Sequence, residues 1–319
     1  LAEKVAAAPA DASGEYFHLA LYSFKDELGM QPKDMFSALY RLLIGKPSGP
    51  RAGWFLSILP RDWLVDRLQL KGATIATSDR QQHIEVVTEA KLTDNISFKI
   101  SDAILQRYPE ACVGYVVAEL PGTISDVSTD WLESAVSSLK ERGIAAESLS
   151  QTPEIAGWRQ AYSGFGVKPS KYPCSAEALA KRALKGSPAH VSPVVDAYNA
   201  VSIRHLIPMG ALDLDKVKGT IEMRYGKAGE QADLLGFDAP VAVEPTHVVY
   251  ADDGQVITWL WNHRDAKSTA VTSLTRHAVF FADSISGANA VDVATHELIK
   301  KLTALGVQII SSGYLGAKQ

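Results

Sequence analysis

PSKYPCSAEALAKRALKGSPAHVSPVVDAYNAVSIRHLIPMGALDLDKVKGTIEMR, residues Pro169 to Arg224, reads as two helices, a tight apolar turn and a strand. Ser175 is expected to cap the first helix, because a hydroxyl can accept from a backbone N–H in the open first turn. Ala176 to Leu184 then alternates apolar and charged residues at helical spacing. In the second helix Val194, Val195, Tyr198, Val201 and Ser202 form the stripe expected to be buried, with Asp196, Asn199 and His205 around it. Pro208-Met209-Gly210 turns the chain into Asp213-Leu214-Asp215-Lys216. Several of these polar residues stand where a plain core needs none.

Working outward, the period shifts toward two after Arg224, and strands are expected near 220–225, 246–250, 255–260, 269–274 and 277–282. Asp252-Asp253-Gly254 suits a hairpin, since Asp-Gly tolerates positive φ. A helix at about 287–304 carries Val291, Ala294, Leu298 and Leu302, and VQIISSGYLG closes as a strand. Upstream, Ile84 to Ala90 and Ile96 to Ile100 alternate as strands, and Ile104 to Tyr108 is a short helix. Cys112 to Leu120 is an apolar, buried strand, and Trp131 to Arg142 and Pro153 to Phe165 are amphipathic helices. Strands and helices mix without strict βαβ alternation, which indicates an α+β domain. The first 72 residues are helical throughout. Tyr16, Leu19, Ala20 and Phe24 share one face, and Met35, Phe36, Leu39, Tyr40 and Leu43 form the next stripe. Two short proline-started helices follow. The expected organisation is thus a helical segment over 1–72, a polar linker over 73–82 and an α+β domain over 83–319.

Composition bounds the function classes. The 319 residues are 46% hydrophobic and 21% charged with net charge −4, ordinary for a globular protein and without a global pull toward nucleic acid. Cys112 and Cys174 lack any C-x-x-C or Cys/His spacing, so neither a disulfide framework nor a zinc site is indicated. Both are expected to be reduced, in a cytoplasmic protein. No apolar run reaches membrane-spanning length, and the start lacks a signal-peptide pattern. The chain opens on Leu1, which fits a fragment, a processed form or a trimmed chain. P-loop, G-x-G-x-x-G, H-E-x-x-H and nucleophile-elbow patterns are absent, so no cofactor and no metal are expected.

The stretch VVDAYNAVSIRHLIPMGALDLDKVKG resembles the VVD-x-x-N…P-x-x-x-x-D-L-D-K-I pattern of the B3/B4 editing module in the phenylalanyl-tRNA synthetase beta subunit, and still more its free-standing relatives. Gly229-Glu230, Tyr250-Ala251-Asp252-Asp253 and Trp261-Asn262-His263-Arg264 continue the resemblance, as do Trp158 to Ser175 upstream. A second resemblance lies at 27–68, ELGMQPKDMFSALYRLLIGKPSGPRAGWFLSILPRDWLVDRL, which is similar to the C-terminal end of class I lysyl-tRNA synthetase, a helical region associated with anticodon recognition. The catalytic HIGH and KMSKS signatures of that class are absent, so no aminoacylation is expected from this chain alone.

An editing site holds the aminoacyl end of a tRNA and brings water to the ester carbon, stabilising an oxyanion with placed donors. The resemblance makes Asn199 the first candidate, an amide able to donate and accept. His205 is the second catalytic candidate, against the commoner structural role of a lone helical histidine. Tyr198, Pro208, Gly210, Glu230, Trp261, Asn262 and Arg264 are candidates for substrate binding. The phenylalanyl family carries histidine at Gly210 and threonine at Tyr198, so this pocket is expected to differ at its amino-acid end; the free-standing relatives also favour glycine. Asp213 and Asp215 look like a pair, and Asp215 reads as loop closure by hydrogen bonds. Lys46, Arg51 and Lys216 are candidate tRNA contacts, with Arg61 and Arg67 on the same basic helical face, while Trp54, Phe55 and Trp63 read as core. The implied function is hydrolysis of mischarged aminoacyl-tRNA, with tRNA and an aminoacyl-tRNA synthetase as partners and neither DNA nor membrane. The alternatives are a non-catalytic tRNA or amino-acid binding module, and the C-terminal part of a synthetase with an appended editing domain.

Overall fold

The computed structural model describes residues 2–9, 12–28, 31–44, 51–57, 59, 61–68, 84–122, 124, 130–186, 188 and 190–317. The chain divides into two compact units, Leu1–His83 and Ile84–Gln319. The expected linker at 73–82 lies outside the described residues.

The first unit is helical: α1 Ala2–Ala6, α2 Gly14–Leu28, α3 Pro32–Ile44, α4 Ala52–Ser57 and α5 Arg61–Leu68. Phe17, Leu21, Met35, Leu39, Leu43, Leu56 and Leu64 form its buried cluster. Among the described residues of α2, Phe17 and Leu21 are buried side chains and Leu19 is exposed; the stripe expected from Tyr16 and Leu19 is rotated by a position or two, because a helix this rich in aromatics is apolar on more than one face, and the side chain of Phe24 falls outside what is described. Arg61 caps α1, its guanidinium donating to the carbonyls of Val5 at 3.1 Å, Ala8 at 2.8 Å and Pro9 at 3.0 Å. Val5 lies in the last turn of α1, and Ala8 and Pro9 in the segment that follows it. Trp54, expected in the core, is exposed with the Arg51 guanidinium 4.7 Å above its ring. Lys46, like the side chains of Trp63 and Arg67, falls outside what is described.

The second unit runs β1 Val86–Val87, β2 Glu89–Lys91, β3 Ser97–Ile100, α6 Asp102–Arg107, β4 Cys112–Glu119, α7 Trp131–Glu141, α8 Pro153–Gly164, α9 Ser175–Lys185, α10 Pro193–His205 and β5 Met209–Asp213. It continues through β6 Thr220–Tyr225, β7 Gln231–Ala232, β8 Val241–Ala242, β9 Val248–Ala251, β10 Val256–Trp259, β11 Arg264–Asp265, β12 His277–Ser284, α11 Ala288–Ala304 and β13 Gln308–Gly316. One sheet has the order β1-β13-β4-β12-β5, the other β11-β10-β9-β6-β3-β2, and β7 and β8 pair apart. Most pairs are antiparallel, with β1/β13 and β3/β6 parallel. The architecture is α+β, a helical segment followed by a mixed-sheet domain.

The apolar run Cys112–Leu120 is explained by burial on both faces. Val113, Tyr115 and Val117 of β4 face one core together with Val279 and Phe281 of β12. Cys112, Val116 and Ala118, with Phe280 and Ala282, face a second core under α10 and α11. In the first core Phe281 bridges the sheets, 4.8 Å from Phe98 and 5.4 Å from Tyr250 between ring centroids. Burial of one such ring stabilises by ~1.5–3 kcal/mol.

Two expected elements differ. Residues 269–274 are not a strand: a 3-10 turn spans Lys267–Thr269 and only Ala270 bridges, to Leu212. The β-favouring Val271 and Thr272 sit instead in a turn closed by Thr275, whose hydroxyl accepts from Thr272 N–H and donates to Asp213. Met209 and Gly210, expected in the turn, begin β5.

Candidate functional site

The α10 helix and the strand after it set the site. Ser192 caps α10, its hydroxyl accepting from the Val195 N–H, and Pro193 follows in the first turn, where its missing N–H costs nothing. Leu206 ends the helix in the left-handed region at φ 55°, and Ser202 donates to the Ile207 carbonyl at 2.7 Å. The chain thus reverses within three residues, and β5 runs back as an edge strand. Ser175 does not cap α9; Cys174 holds that position and Ser175 is already helical.

Between the edge strands β5 and β11, beside α9 and α10, lies a cavity of about 230 Å³. Tyr198 and Asn199 from α10, Gly210 and Leu212 from β5, and Trp261, Asn262, His263, Arg264 and Asp265 line it. Tyr250, Phe281 and Asp283 add to the wall from the two sheets, and Arg182 from α9. Arg182 and Arg264 are exposed, whereas Asp283 is buried. The rim is therefore basic and the interior acidic.

Two carboxyls dominate that interior. Asp283 accepts from the Tyr250 hydroxyl and, at 2.9 Å, from Asn262 Nδ2. Asn262 is oriented in turn by Tyr162, whose hydroxyl donates to the Leu260 carbonyl at 2.6 Å and lies 2.9 Å from Asn262 Oδ1. Burial pushes Asp283 up to about 7, against the lowering effect of its two donors and with a further push from Asp265. Asp265 accepts from Thr258 Oγ1 at 3.0 Å; burial raises it to about 6, opposed by Thr258 and then by Arg264. Asp265 retains some solvent exposure while protein surrounds its carboxyl group, which places its open side on the cavity.

Gly210 faces Asp265. A Cβ at residue 210 would stand 3.5 Å from Asp265 Oδ2 and 3.9 Å from Oδ1, so any longer side chain there must meet the carboxyl group. Leu260 and Trp261 both adopt left-handed backbone, φ 51° and 61°. Such residues cost of order 1 kcal/mol or more each and persist where the surroundings impose them. Here the pair turns β10 sharply toward β11, and the Trp261 ring packs edge-on against Tyr108 at 5.0 Å and Trp158 at 5.1 Å.

His263 is the cavity's imidazole. Its Nδ1 lies 2.7 Å from the Pro173 carbonyl, which accepts only from a protonated Nδ1 and so leaves Nε2 as a lone-pair nitrogen in the neutral ring. Burial holds its pKa below the ordinary 6.5, with Arg264 acting in the same direction and the Pro173 bond against it. The ring is neutral at pH 7 and able to take a proton. Burial pushes both thiols, Cys112 and Cys174, up to about 12, so neither is a nucleophile.

Of the residues singled out in the sequence, Tyr198, Asn199, Gly210, Trp261, Asn262 and Arg264 line the cavity. His205 does not: its Nε2 is 2.7 Å from Glu297 of α11, in a network that Arg204 and Lys301 join. Pro208 lies outside the lining, where its carbonyl accepts from Asp283 N–H. Glu230 is paired with Arg224 at 2.5 and 3.0 Å and accepts from Lys227 N–H, so it closes a loop. Lys216 is exposed at the end of a 3-10 turn, and Arg51 belongs to the other unit. Asp213, more than Asp215, is the loop closer, accepting from Asp215 N–H and Thr275. Asp265, Asp283 and Arg182 had no local pattern to announce them, and Tyr250 stood only within Tyr250-Ala251-Asp252-Asp253 without a role. His263 stood inside Trp261-Asn262-His263-Arg264, and only the fold separates its role from its neighbours'.

Residues 157–300 match the family model of the B3/4 domain. The chain is 33% identical over 99 residues to the phenylalanine–tRNA ligase beta subunit of Legionella pneumophila, across 31% of this chain and 12% of that one. Its short N-terminal region matches lysine–tRNA ligases. That of Methanocaldococcus jannaschii is 41% identical over 69 residues, 22% of this chain and 13% of the ligase. That of Methanosarcina barkeri is 36% identical over 75 residues, 18% and 14%. The chain therefore spans no more than 14% of the length of any of these three. An N-terminal fragment of the phenylalanyl-tRNA synthetase beta subunit from Pyrococcus horikoshii aligns with a TM-score of 0.37 and 12% identity, over 73% of this chain and 52% of that one. The cavity residues, from Ser175 to Asp283, all fall inside residues 157–300, the span that matches the B3/4 domain model.

Proposed function

We propose that this protein works on tRNA, hydrolysing the ester of a wrongly charged aminoacyl-tRNA in the cavity between β5 and β11. One observation carries the reading: on a B3/4 domain, a space of single-residue size is lined by a neutral imidazole, an amide and two buried carboxyls, with arginines at its rim. At about 230 Å³ it is smaller than the ~300–1,000 Å³ of sites for drug-sized ligands, which suits one aminoacyl group with the rest of the tRNA outside. His263 Nε2 takes a proton from water as the water oxygen bonds to the ester carbon. The Asn199 amide donates to the oxyanion, and collapse expels the ribose oxygen, to which the imidazolium returns the proton. Arg182 and Arg264 suit the phosphates of the tRNA end. In the helical unit, Arg51 and Lys46 are proposed to contact tRNA away from the acceptor end, in keeping with the lysine–tRNA ligase likeness there.

The test is a deacylation panel of mischarged tRNAs with wild type, Asn199→Ala and His263→Gln. His263→Gln is expected to lose about 10²–10⁴-fold in rate. The wild-type rate should rise with pH and level off with an apparent pKa below the ordinary 6.5, because the base must be neutral and its pKa is lowered. No hydrolysis of any ester by wild type would sink the reading. A binding-only module is the second reading, favoured by Gly210, which brings no side chain of its own to the reacting end.

A further inference from the structure

The charge of the cavity points to what enters it. Asp265 and Asp283 both line one space. Among the described residues neither makes a salt bridge. The one hydrogen bond to the Asp265 carboxyl group there is from Thr258, and the Asp283 carboxyl is met by the neutral donors Tyr250 and Asn262. Arg264, next to Asp265 in sequence, is exposed, and Arg182 is likewise at the rim. Two carboxyls lining one small cavity are costly as ions unless cations answer them. Asn262 is locked by Tyr162 so that its NH₂ faces Asp283, which holds that carboxyl as an acceptor. Leu212, Met209, Leu179 and Phe281 supply apolar wall alongside, suited to methylenes.

We propose that the cavity takes an aminoacyl group with a second amine, a diamino acid, whose two ammonium groups are answered by Asp265 and Asp283. The assignment rests on the aminoacyl-ester reading above and adds the class of side chain. A substrate with only its α-amine supplies one positive charge and leaves the second carboxyl uncompensated or protonated. A diamino acid neutralises both, with its methylenes against the apolar wall and its carbonyl toward the arginine rim. Gly210 is part of the device, because a side chain there would occupy the approach to Asp265.

The experiment titrates the full chain, by calorimetry, with lysinamide and ornithinamide against norleucinamide and phenylalaninamide. All four carry the α-amine, the amide stands in for the ester, and norleucinamide differs from lysinamide by the missing terminal amine. A diamino ligand is expected to bind at least about tenfold more tightly than norleucinamide, as a charge-assisted contact would give. Asp265→Asn, checked for an unchanged melting transition at pH 5, should abolish most of that preference. Asp283→Asn provides a second reading of the same loss. Equal binding of lysinamide and norleucinamide, binding of neither, or an undiminished preference in both variants overturns the proposal. The ester panel separates its failure from that of the function. A diamino preference with no ester hydrolysed leaves the ligand assignment and removes the deacylase. Hydrolysis of tyrosyl or phenylalanyl esters but not lysyl ones keeps the deacylase and removes the diamino acid.

Discussion

Asp265 has a consequence for stability that can be measured without any substrate. Its pKa is raised from the ordinary 3.8 to about 6 by burial, with Thr258, Arg264, Tyr198 and the Gly210 backbone around it. A raised folded-state pKa means the folded protein holds the proton more firmly than the unfolded chain does. Its contribution is therefore fully present below about pH 3.8 and is lost as pH rises through about 6. Asp283, raised to about 7, acts with the same sign over a window reaching higher. Asp265→Asn removes the titration and is expected to raise the melting temperature relative to wild type at pH 8 and to change it little at pH 4. The free-energy difference between those pH values has an upper bound of ~3 kcal/mol. A thermal melt series across pH checks it, and a variant difference independent of pH would contradict it. These two residues also mark where sequence reading stops. Asp265 follows Arg264 in β11, but neighbouring residues on a strand point to opposite faces, so adjacency does not make them a pair. Asn199 and Gly210 could be found because they sit eleven positions apart in one helix–turn–strand unit. Asp265 and Asp283 reach the same cavity from different sheets, and nothing local in either segment records that.

The central strands were the most legible elements. Cys112–Leu120 shows no alternation because α11 covers one face of β4 and the second sheet the other. Gly114 makes the cover possible: a Cβ there would collide with Thr295 Oγ1 of α11, a hydroxyl already donating to the Val291 carbonyl at 2.8 Å. Gly114→Val should destabilise the second unit by about 1–3 kcal/mol through overpacking, despite the better strand propensity of valine. The urea midpoint reports it, and an unchanged midpoint would mean α11 is free to shift. The misread element, 269–274, fails for a related reason. Val271, Thr272 and Thr275 have strand-like composition, but Thr275 uses its hydroxyl to close a turn onto Asp213, and side-chain hydrogen bonds of this kind compete with a ladder. Glu230 was similarly ambiguous, since a glutamate after Gly229 fits a ligand contact or a loop tie equally well until Arg224 is seen beside it.

Each of the two units has its own buried cluster: residues 5 to 64 supply one, and residues 90 to 315 the other two. Residues 84–319 alone are accordingly expected to fold with a single cooperative melt. They should keep activity toward a short aminoacylated acceptor stem while losing affinity for whole tRNA. Circular dichroism and the ester assay test this, and an unfolded fragment would show that the helical unit completes the second core. In the sequence a wholly 3.6-periodic segment gives way to mixed periods after a polar stretch, and the chain divides into Leu1–His83 and Ile84–Gln319.

The pairing of β1 with β13 carries one more implication. Val86 lies opposite Tyr314 and Val87 opposite Leu315 in parallel register, so the second unit begins and finishes on neighbouring strands of one sheet edge. A fold with its entrance and exit side by side behaves as a cassette: it can be spliced into a surface loop of a host protein without pulling the host apart. The same neighbourhood makes it a natural subject for circular permutation, with a join from Gly316 back to Ile84 long enough to reverse the chain twice, because the two strands are parallel, and new ends opened at the Asp253-Gly254 turn.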